Sequence, residues 1–126
     1  MMRNDMMDEN KKYSKEELLD MLPGFSGTTQ YYRYYSLFMT DGAQFLADAA
    51  RCYWLMDILW SIHRKMADHG MVVCKLKVNE DRTALFTAIG DGDALVHEQR
   101  IEWTDFPLNE IKLYVADDVV MLPSEY

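Results

Sequence analysis

The chain has 126 residues and carries 21 acidic against 13 basic side chains, a net charge of −8. We expect one domain with one core, because a hydrophobic content of 49% excludes a disordered chain, which lacks the apolar surface to offset its conformational entropy. The longest apolar run is broken by Asp57 and the N-terminus holds no signal-peptide core, so we expect a cytoplasmic protein without a membrane segment.

The N-terminal residues predict a tail followed by a short helix. Residues 1–13 hold four methionines and show no periodicity, which predicts a flexible tail ahead of a single α+β domain over residues 14–126. Ser14 and Glu17 have the spacing of a capping box, in which each side chain accepts a hydrogen bond from a free backbone donor. This pattern predicts a helix that begins at Ser14 and ends at Pro23.

A longer helical pattern follows an aromatic run. The run from Tyr31 to Met39 is too short to distinguish strand from helix, and we interpret it as a turn with short strand. Asp41 is the predicted N-cap of the next helix, with Gln44 completing a capping box. The pattern stays helical over residues 43–68, with a break near Arg51. Its core-facing stripe comprises Leu55, Ile58, Leu59, Ile62 and Met66.

The second half of the chain alternates with the period of two that is typical of strands. The predicted strands cover residues 72–78, 83–89, 94–101, 111–115 and 119–122. Gly90 to Asp93 is a hairpin signal, because glycine and aspartate tolerate the positive φ of primed turns. We therefore predict an α+β fold in which an antiparallel β-sheet meander of four to five strands is packed on one face by two to three N-terminal helices.

The chain lacks the signatures of common catalytic sites. No Gly-x-Ser-x-Gly motif supplies a serine nucleophile, and Gly90 and Gly92 lie between strands rather than at the start of a helix, where a phosphate loop belongs. The histidines and cysteines lack the close spacing that zinc requires. Cys52 and Cys74 fall in buried segments as reduced thiols. We predict a non-enzymatic protein with no metal and no cofactor.

Three polar residues in apolar surroundings leave an alternative open. His97 and Gln99 share a strand face with Leu95 and Ile101 if the period of two holds, so they form either a hydrogen-bonded pair or the acid–base groups of a site. Asp57 lies in an apolar helix segment, where its carboxylate needs a donor. If the three converge, they line a pocket between helices and sheet in a small enzyme or ligand-binding domain.

Charge and aromatic residues favour a protein-binding surface. Residues 71–126 hold eleven acids and five bases, and this field attracts a basic protein surface while it repels nucleic acid. The tyrosine run could also stack on single-stranded bases, a second alternative that one arginine supports poorly. The candidate interaction residues are Tyr31, Tyr32, Arg33, Tyr35, Trp60, Asp91, Asp93, Trp103, Asp117 and Asp118.

Several motifs resemble a family of small uncharacterised proteins from bacterial, plasmid and phage genomes. They read Gly27-Thr28-x-x-Tyr31-Tyr32-Arg33, Thr40-Asp41-Gly42, Tyr53-Trp54-Leu55-x-Asp57, Thr104-Asp105-Phe106-Pro107-Leu108-x-x-Ile111-Lys112-Leu113-Tyr114-Val115 and Leu122-Pro123-Ser124-Glu125-Tyr126. The resemblance spans about residues 22–126 and implies no catalytic residue. It implies a genomic position on mobile elements, beside defence and counter-defence genes.

These observations together predict an acidic protein-binding module. The expected partner is a basic host or defence protein, and the expected action is a counter-defence, anti-CRISPR-like inhibition that blocks the nucleic-acid-binding surface of a host nuclease complex. A homodimer formed through an acidic edge strand is a further expectation.

Overall fold

The computed structural model describes residues 13–126. The tail predicted for residues 1–13 therefore lies outside the described residues, except for Tyr13, whose ring packs edge-on against Phe45 with centroids 5.5 Å apart. The helices are α1 (Lys15–Met21), α2 (Asp41–Ala49), α3 (Tyr53–Ser61) and α4 (His63–Met66). The strands are β1 (Tyr32–Tyr34), β2 (Leu37–Met39), β3 (Val72–Val78), β4 (Ala84–Ile89), β5 (Leu95–Ile101), β6 (Glu110–Ala116) and β7 (Val119–Met121).

The seven strands form one sheet in the order β1-β2-β7-β6-β3-β4-β5. The long strands β3 to β6 pair antiparallel, as their period of two predicts. β2 runs parallel to β7, with Phe38 opposite Val119 and Met39 opposite Val120. The prediction of four to five antiparallel strands with two to three helices is thus corrected to a mixed sheet of seven strands with four helices over residues 13–126. The predicted meander is wrong after β5, because β6 pairs with β3 and not with β5. Strands of three residues show no periodicity, and their pairing depends on contacts distant in sequence.

The helices begin and end for identifiable local reasons. The capping box of α1 is confirmed: the Glu17 N–H donates to Ser14 Oγ at 3.1 Å, and the Ser14 N–H donates to Glu17 Oε1 at 2.9 Å. Thr40, and not the predicted Asp41, caps α2, because its hydroxyl accepts from the Ala43 N–H at 3.2 Å. Asp41 is the first helical residue and accepts instead from the N–H and hydroxyl of Thr29.

The predicted helix over residues 43–68 is divided into α2, α3 and α4. Arg51 has a φ of +52° and ends α2 in a Schellman arrangement. The Arg51 N–H donates to Asp48 at 3.3 Å, and the Cys52 N–H donates to Ala47 at 3.0 Å. Ile62 separates α3 from α4. The break near Arg51 is confirmed, and the predicted core stripe faces inward apart from the half-buried Ile58.

The core lies between the helices and one face of the sheet. Alternate residues of β3 and β4, such as Val72, Leu76 and Phe86, are buried on that face. A β-bulge follows in β5, where Ala88 pairs with His97 but Ile89 pairs with Leu95. The extra residue places Leu95 on the opposite face from His97, so the prediction that they share a face is wrong.

Candidate interaction surface

Three turns meet at one end of the sheet. The pairs Phe38–Val119, Ala116–Val119 and Ile89–Leu95 place the β1–β2, β6–β7 and β4–β5 turns at the same end. With about 4.8 Å between neighbouring strands, the first turn lies about 10 Å from the second and the second about 14 Å from the third. We call this surface the acidic end, and it comprises Tyr35, Asp91, Asp93, Asp117 and Asp118. The residues of these three turns include no lysine or arginine.

Asp117 and Asp118 form the tight turn between β6 and β7. Their φ angles are +51° and +65°, as the two central residues of a type I′ turn require. Aspartate tolerates this conformation better than most residues. The Asp118 carbonyl accepts from the Phe38 N–H at 2.8 Å, which ties the turn to β2. Both side chains are exposed, and neither carboxylate has a hydrogen-bond partner within residues 13–126, so both remain available to a partner.

The β4–β5 turn is fastened to the connection between α4 and β3. The Asp91 N–H donates to His69 Nδ1 at 2.9 Å, and the Gly70 N–H donates to Asp91 Oδ2 at 3.0 Å. Because His69 Nδ1 accepts this bond, its ring proton is assigned to Nε2. The 3.8 Å approach of His69 Nδ1 to Asp91 Oδ2 is therefore a contact with a neutral ring. A Cβ on Gly90 would lie 2.4 Å from the same ring atom, so this contact requires glycine.

Aromatic rings line the β1 side of the acidic end. Tyr35 contacts Tyr34 edge-on at a centroid distance of 5.0 Å and Trp60 at 5.1 Å, and Trp60 stacks on His63 at 6.1 Å. Tyr35 is 63% exposed and Trp60 is 40% exposed. We call these four residues the aromatic cluster. Tyr35 has a φ of +56°, an uncommon conformation for a bulky residue, in the two-residue turn between β1 and β2.

Two carboxylates on the neighbouring helices hold tyrosine hydroxyls. The Tyr34 hydroxyl donates to Asp57, and burial together with that hydrogen bond raises the pKa of Tyr34. The Tyr53 hydroxyl donates to Asp48 at 2.6 Å. Burial and then Asp48 raise the pKa of Tyr53 to about 12. Asp57 thus has a tyrosine donor, but it is exposed, so its carboxylate does not lie in the apolar surroundings that the sequence predicted.

Of the remaining candidates, Arg33 borders the acidic end, and the three aromatic residues lie away from it. Tyr31 precedes β1 at the end opposite Tyr35, and Tyr32 packs against the core while its hydroxyl accepts from Gln30 at 2.6 Å. Arg33 borders the acidic end on the other face of the sheet: its Nε donates to the Tyr35 carbonyl at 3.1 Å, and its guanidinium carbon lies 5.7 Å from the Phe38 ring centroid. Trp103 is 65% exposed and follows β5 at the opposite end of the sheet.

Asp57 does not meet His97 and Gln99. Asp57 binds Tyr34 on the edge strand β1, whereas His97 and Gln99 lie on the other edge strand, β5, six strand spacings or about 29 Å away. His97 Nε2 and Gln99 Oε1 form a hydrogen bond of 3.1 Å at that edge. A cleft of about 550 Å³ lies nearby, and its lining includes none of the three. It is lined by Lys77, Asn79, Thr83, Ala84, Leu85, Arg100, Ile101 and Glu102.

Within the described part of the chain, no group of three histidine, cysteine or acidic side chains could hold a metal ion. Cys52 and Cys74 are buried free thiols, and burial raises the pKa of each to about 12. None of the helices in residues 13–126 has both the length and the apolar character needed to cross a bilayer.

One constellation was missed from the sequence: the C-terminus caps α2. Glu125 Oε1 accepts from the Thr40 hydroxyl at 2.6 Å and from the Leu122 N–H at 2.9 Å, while Oε2 accepts from the Gly42 N–H at 2.9 Å. A Cβ on Gly42 would lie 2.6 Å from Glu125 Oε1, which explains the glycine. The sequence signal for this cap was Glu125 itself, an acid that closely follows Pro123.

These contacts bring together two of the motifs that carry the family resemblance, Thr40-Asp41-Gly42 and Leu122 to Tyr126. Both are therefore structural. No curated protein and no solved structure matches the chain. A family model does match, over residues 16–126, and it is described as a family of unknown function, DUF6876. Because the match covers most of the chain, including every strand and all of α1 after Lys15, the protein belongs to this family of unknown function.

Proposed function

We propose that this protein is a non-enzymatic, acidic protein-binding module of phage or mobile-element origin that acts in the cytoplasm. Its partner is a basic host defence protein, and it acts as an anti-CRISPR-like inhibitor by covering the nucleic-acid-binding surface of a nuclease complex. The observation that carries the proposal is the convergence of four aspartates and the exposed Tyr35 at the acidic end.

Electrostatics gives the acidic end its selectivity. Four carboxylates spread over about 24 Å, with no cation in the turns that hold them, present the charge that a nucleic-acid-binding surface is built to attract. Such fields raise the association rate and exclude acidic partners. Because both Asp117 and Asp118 lack hydrogen-bond partners within the described residues, a partner's arginine or lysine can engage them without breaking a contact.

The aromatic cluster is suited to supply most of the binding energy. Tyrosine and tryptophan dominate interface hot spots, since they bring large area with few rotatable bonds. Tyr35 and Trp60 are already in contact at 5.1 Å, so little side-chain entropy is lost when a partner covers them. Tyr35 belongs to both the aromatic cluster and the acidic end. The two therefore form one surface, in which the aromatic rings supply apolar contact and the aspartates supply charge.

The test is affinity capture from the natural host with matched charge variants. The quadruple variant D91N/D93N/D117N/D118N removes the four charges. Asparagine is chosen because it keeps the turns: it tolerates the positive φ of positions 93, 117 and 118 and retains an acceptor at position 91. The control D20N/E80Q/E102Q/D105N makes the same charge change at exposed sites remote from the acidic end.

We expect a basic partner that is retained by the native protein and by the control but lost with the acidic-end variant. Tyr35→Ala should weaken the same complex by about 2 kcal/mol. The purified partner's nuclease activity, measured with and without the native protein, then tests inhibition. Capture that does not distinguish the acidic-end variant from its control would contradict the proposal, as would a partner that retains full activity when saturated.

A further inference from the structure

Within residues 13–126, the face of the sheet opposite the helices, which we call the open face, carries half-buried and exposed side chains, and the Tyr126 ring contacts it edge-on at Tyr114 with centroids 5.7 Å apart. Five apolar side chains lie in register across it, each on a different strand, and each is half-buried or exposed. This apolar row comprises Met121, Tyr114, Val73, Ile89 and Leu95, and it spans about 19 Å. Leu95 is 59% exposed. A row of partly exposed apolar side chains of this kind indicates an interaction site.

Two charged rows run beside the apolar row on the same face. From β6 to β5, the first row is Lys112, Lys75, Thr87 and Glu98. The second row, in the same order, is Glu110, Lys77, Leu85 and Arg100. The first row has its base on β6 and its acid on β5, and the second row has the reverse. Each row therefore carries opposite charges at its two ends.

This arrangement is complementary to itself. A twofold axis that runs along the strands, midway between β3 and β4, exchanges β6 with β5 and β3 with β4. Lys112 then faces Glu98 of the second copy, and Glu110 faces Arg100 of the second copy. In the apolar row, the same rotation sets Val73 against Ile89 and Tyr114 against Leu95.

We propose that the open face forms a homodimer of this geometry, in which two sheets pack face to face about 10 Å apart. Each symmetric dimer contains four intermolecular ion pairs beside a closed apolar row, and Lys75 and Lys77 face Thr87 and Leu85 of the second copy. Within one copy, Lys75 and Lys112 are directly opposed across β3 and β6, an unfavourable neighbour pair that Glu110 relieves at 3.8 Å from Lys75. In the dimer, Glu98 of the second copy adds a further counter-charge at Lys112.

A second copy fits this face better than nucleic acid. Glu98 and Glu110 interrupt the bases of the face and would repel phosphates, whereas each meets an opposite charge in the dimer. The dimer does not rest on the function proposed above, because the face and the acidic end are different surfaces. The two are compatible: an axis parallel to the strands brings both acidic ends to the same end of the dimer.

The experiment is a charge exchange followed by sedimentation equilibrium over a range of protein concentrations. In K112E, like charges meet at both Lys112–Glu98 contacts of the dimer, and the same holds for E98K. We expect each variant alone to dimerise about tenfold or more weakly than the native protein. An equimolar mixture of K112E and E98K should recover the dimer, because opposite charges meet again at both contacts. The double variant K112E/E98K should recover it as well.

Two controls separate the interface from the fold. Glu80→Lys makes the same charge change as E98K at an exposed site off the face and should leave the dimer unchanged. Urea denaturation of K112E should show an intact fold, since the change removes the like-charge neighbour of Lys75. A native protein that stays monomeric at high concentration would overturn the proposal, as would single variants that fail to recover on mixing. Oligonucleotide binding that depends on Lys112 would assign the face to nucleic acid instead.

Discussion

The cap that Glu125 places on α2 gives the sharpest stability prediction. Its carboxylate accepts three hydrogen bonds, from the Thr40 hydroxyl and from the N–H groups of Leu122 and Gly42. Glu125→Ala leaves two backbone donors of buried residues without a partner, and each such loss costs about 1–3 kcal/mol. Thr40 keeps its weaker bond to the Val120 carbonyl at 3.3 Å. We expect a loss of about 3 kcal/mol in the free energy of unfolding.

Urea denaturation followed by circular dichroism measures this change, and a thermal scan should show a fall in Tm of about 12 °C. Glu102→Ala is the matched control, because Glu102 is exposed and should change stability by less than about 0.5 kcal/mol. If Glu125→Ala also stayed within about 0.5 kcal/mol of the native protein, the cap would contribute nothing and the reasoning would fail.

A double-mutant cycle identifies the contact itself. The Cβ of Gly42→Ala would lie 2.6 Å from Glu125 Oε1 and 2.6 Å from Leu122 Cδ1, so the substitution should destabilise the native protein although alanine favours helix. In the Glu125→Ala background the carboxylate is gone and only the flexible leucine must move. The two changes should therefore couple by at least about 1 kcal/mol, and additive effects would contradict the proposed contact.

Three further predictions follow from local geometry. Asp117→Asn combined with Asp118→Gly should stabilise the protein by about 1 kcal/mol in urea denaturation, because both positions have positive φ. The pKa of Tyr53, raised to about 12 from the ordinary 10.0, keeps its hydroxyl protonated in the folded state after the unfolded chain has ionised. This stabilising contribution is complete below pH 10 and should be lost between pH 10 and about 12, which alkaline urea titrations of native protein and Tyr53→Phe can compare. Cys52 and Cys74, each with a pKa of about 12, should react with a thiol reagent at mildly alkaline pH only after unfolding.

The long elements could be predicted because their periodicity is local. The strands over residues 72–78 and 84–89 alternate cleanly, and the Ser14 capping box starts α1 where the spacing predicts. The helix breaks depend on exceptions to residue preference. Arg51 adopts a conformation that favours glycine, so the end of α2 carries no glycine signal. The bulge in β5 places Leu95 on the opposite face of the sheet, and no glycine or proline within β5 indicates that a bulge is present.

The acidic end could be predicted only in part from the sequence. The aspartates of the turns could be named, since turn residues at positive φ favour aspartate. Their convergence with Tyr35 depends on the parallel pairing of β2 with β7, which places the β1–β2 turn beside the β6–β7 turn. That pairing joins residues about eighty positions apart, and no local pattern encodes it. Because no local pattern shows which strands are neighbours, Asp57 and His97 could be predicted to share a pocket, although they lie at opposite edges of the sheet.

The parallel pair and the Glu125 cap form one structural unit. β7 leads directly into the turn that holds Glu125, and β2 leads directly into Thr40 and α2, so pairing the two strands side by side delivers the carboxylate to the helix N-terminus. The Thr40 N–H donates to the Val120 carbonyl at 3.1 Å and continues the ladder to that point. The motifs at residues 40–42 and 122–126 therefore join the paired short strands β2 and β7 to the N-terminus of α2. Family membership that rests on such residues reports the fold, and differences in function among members should appear in the turns of the acidic end and on the open face.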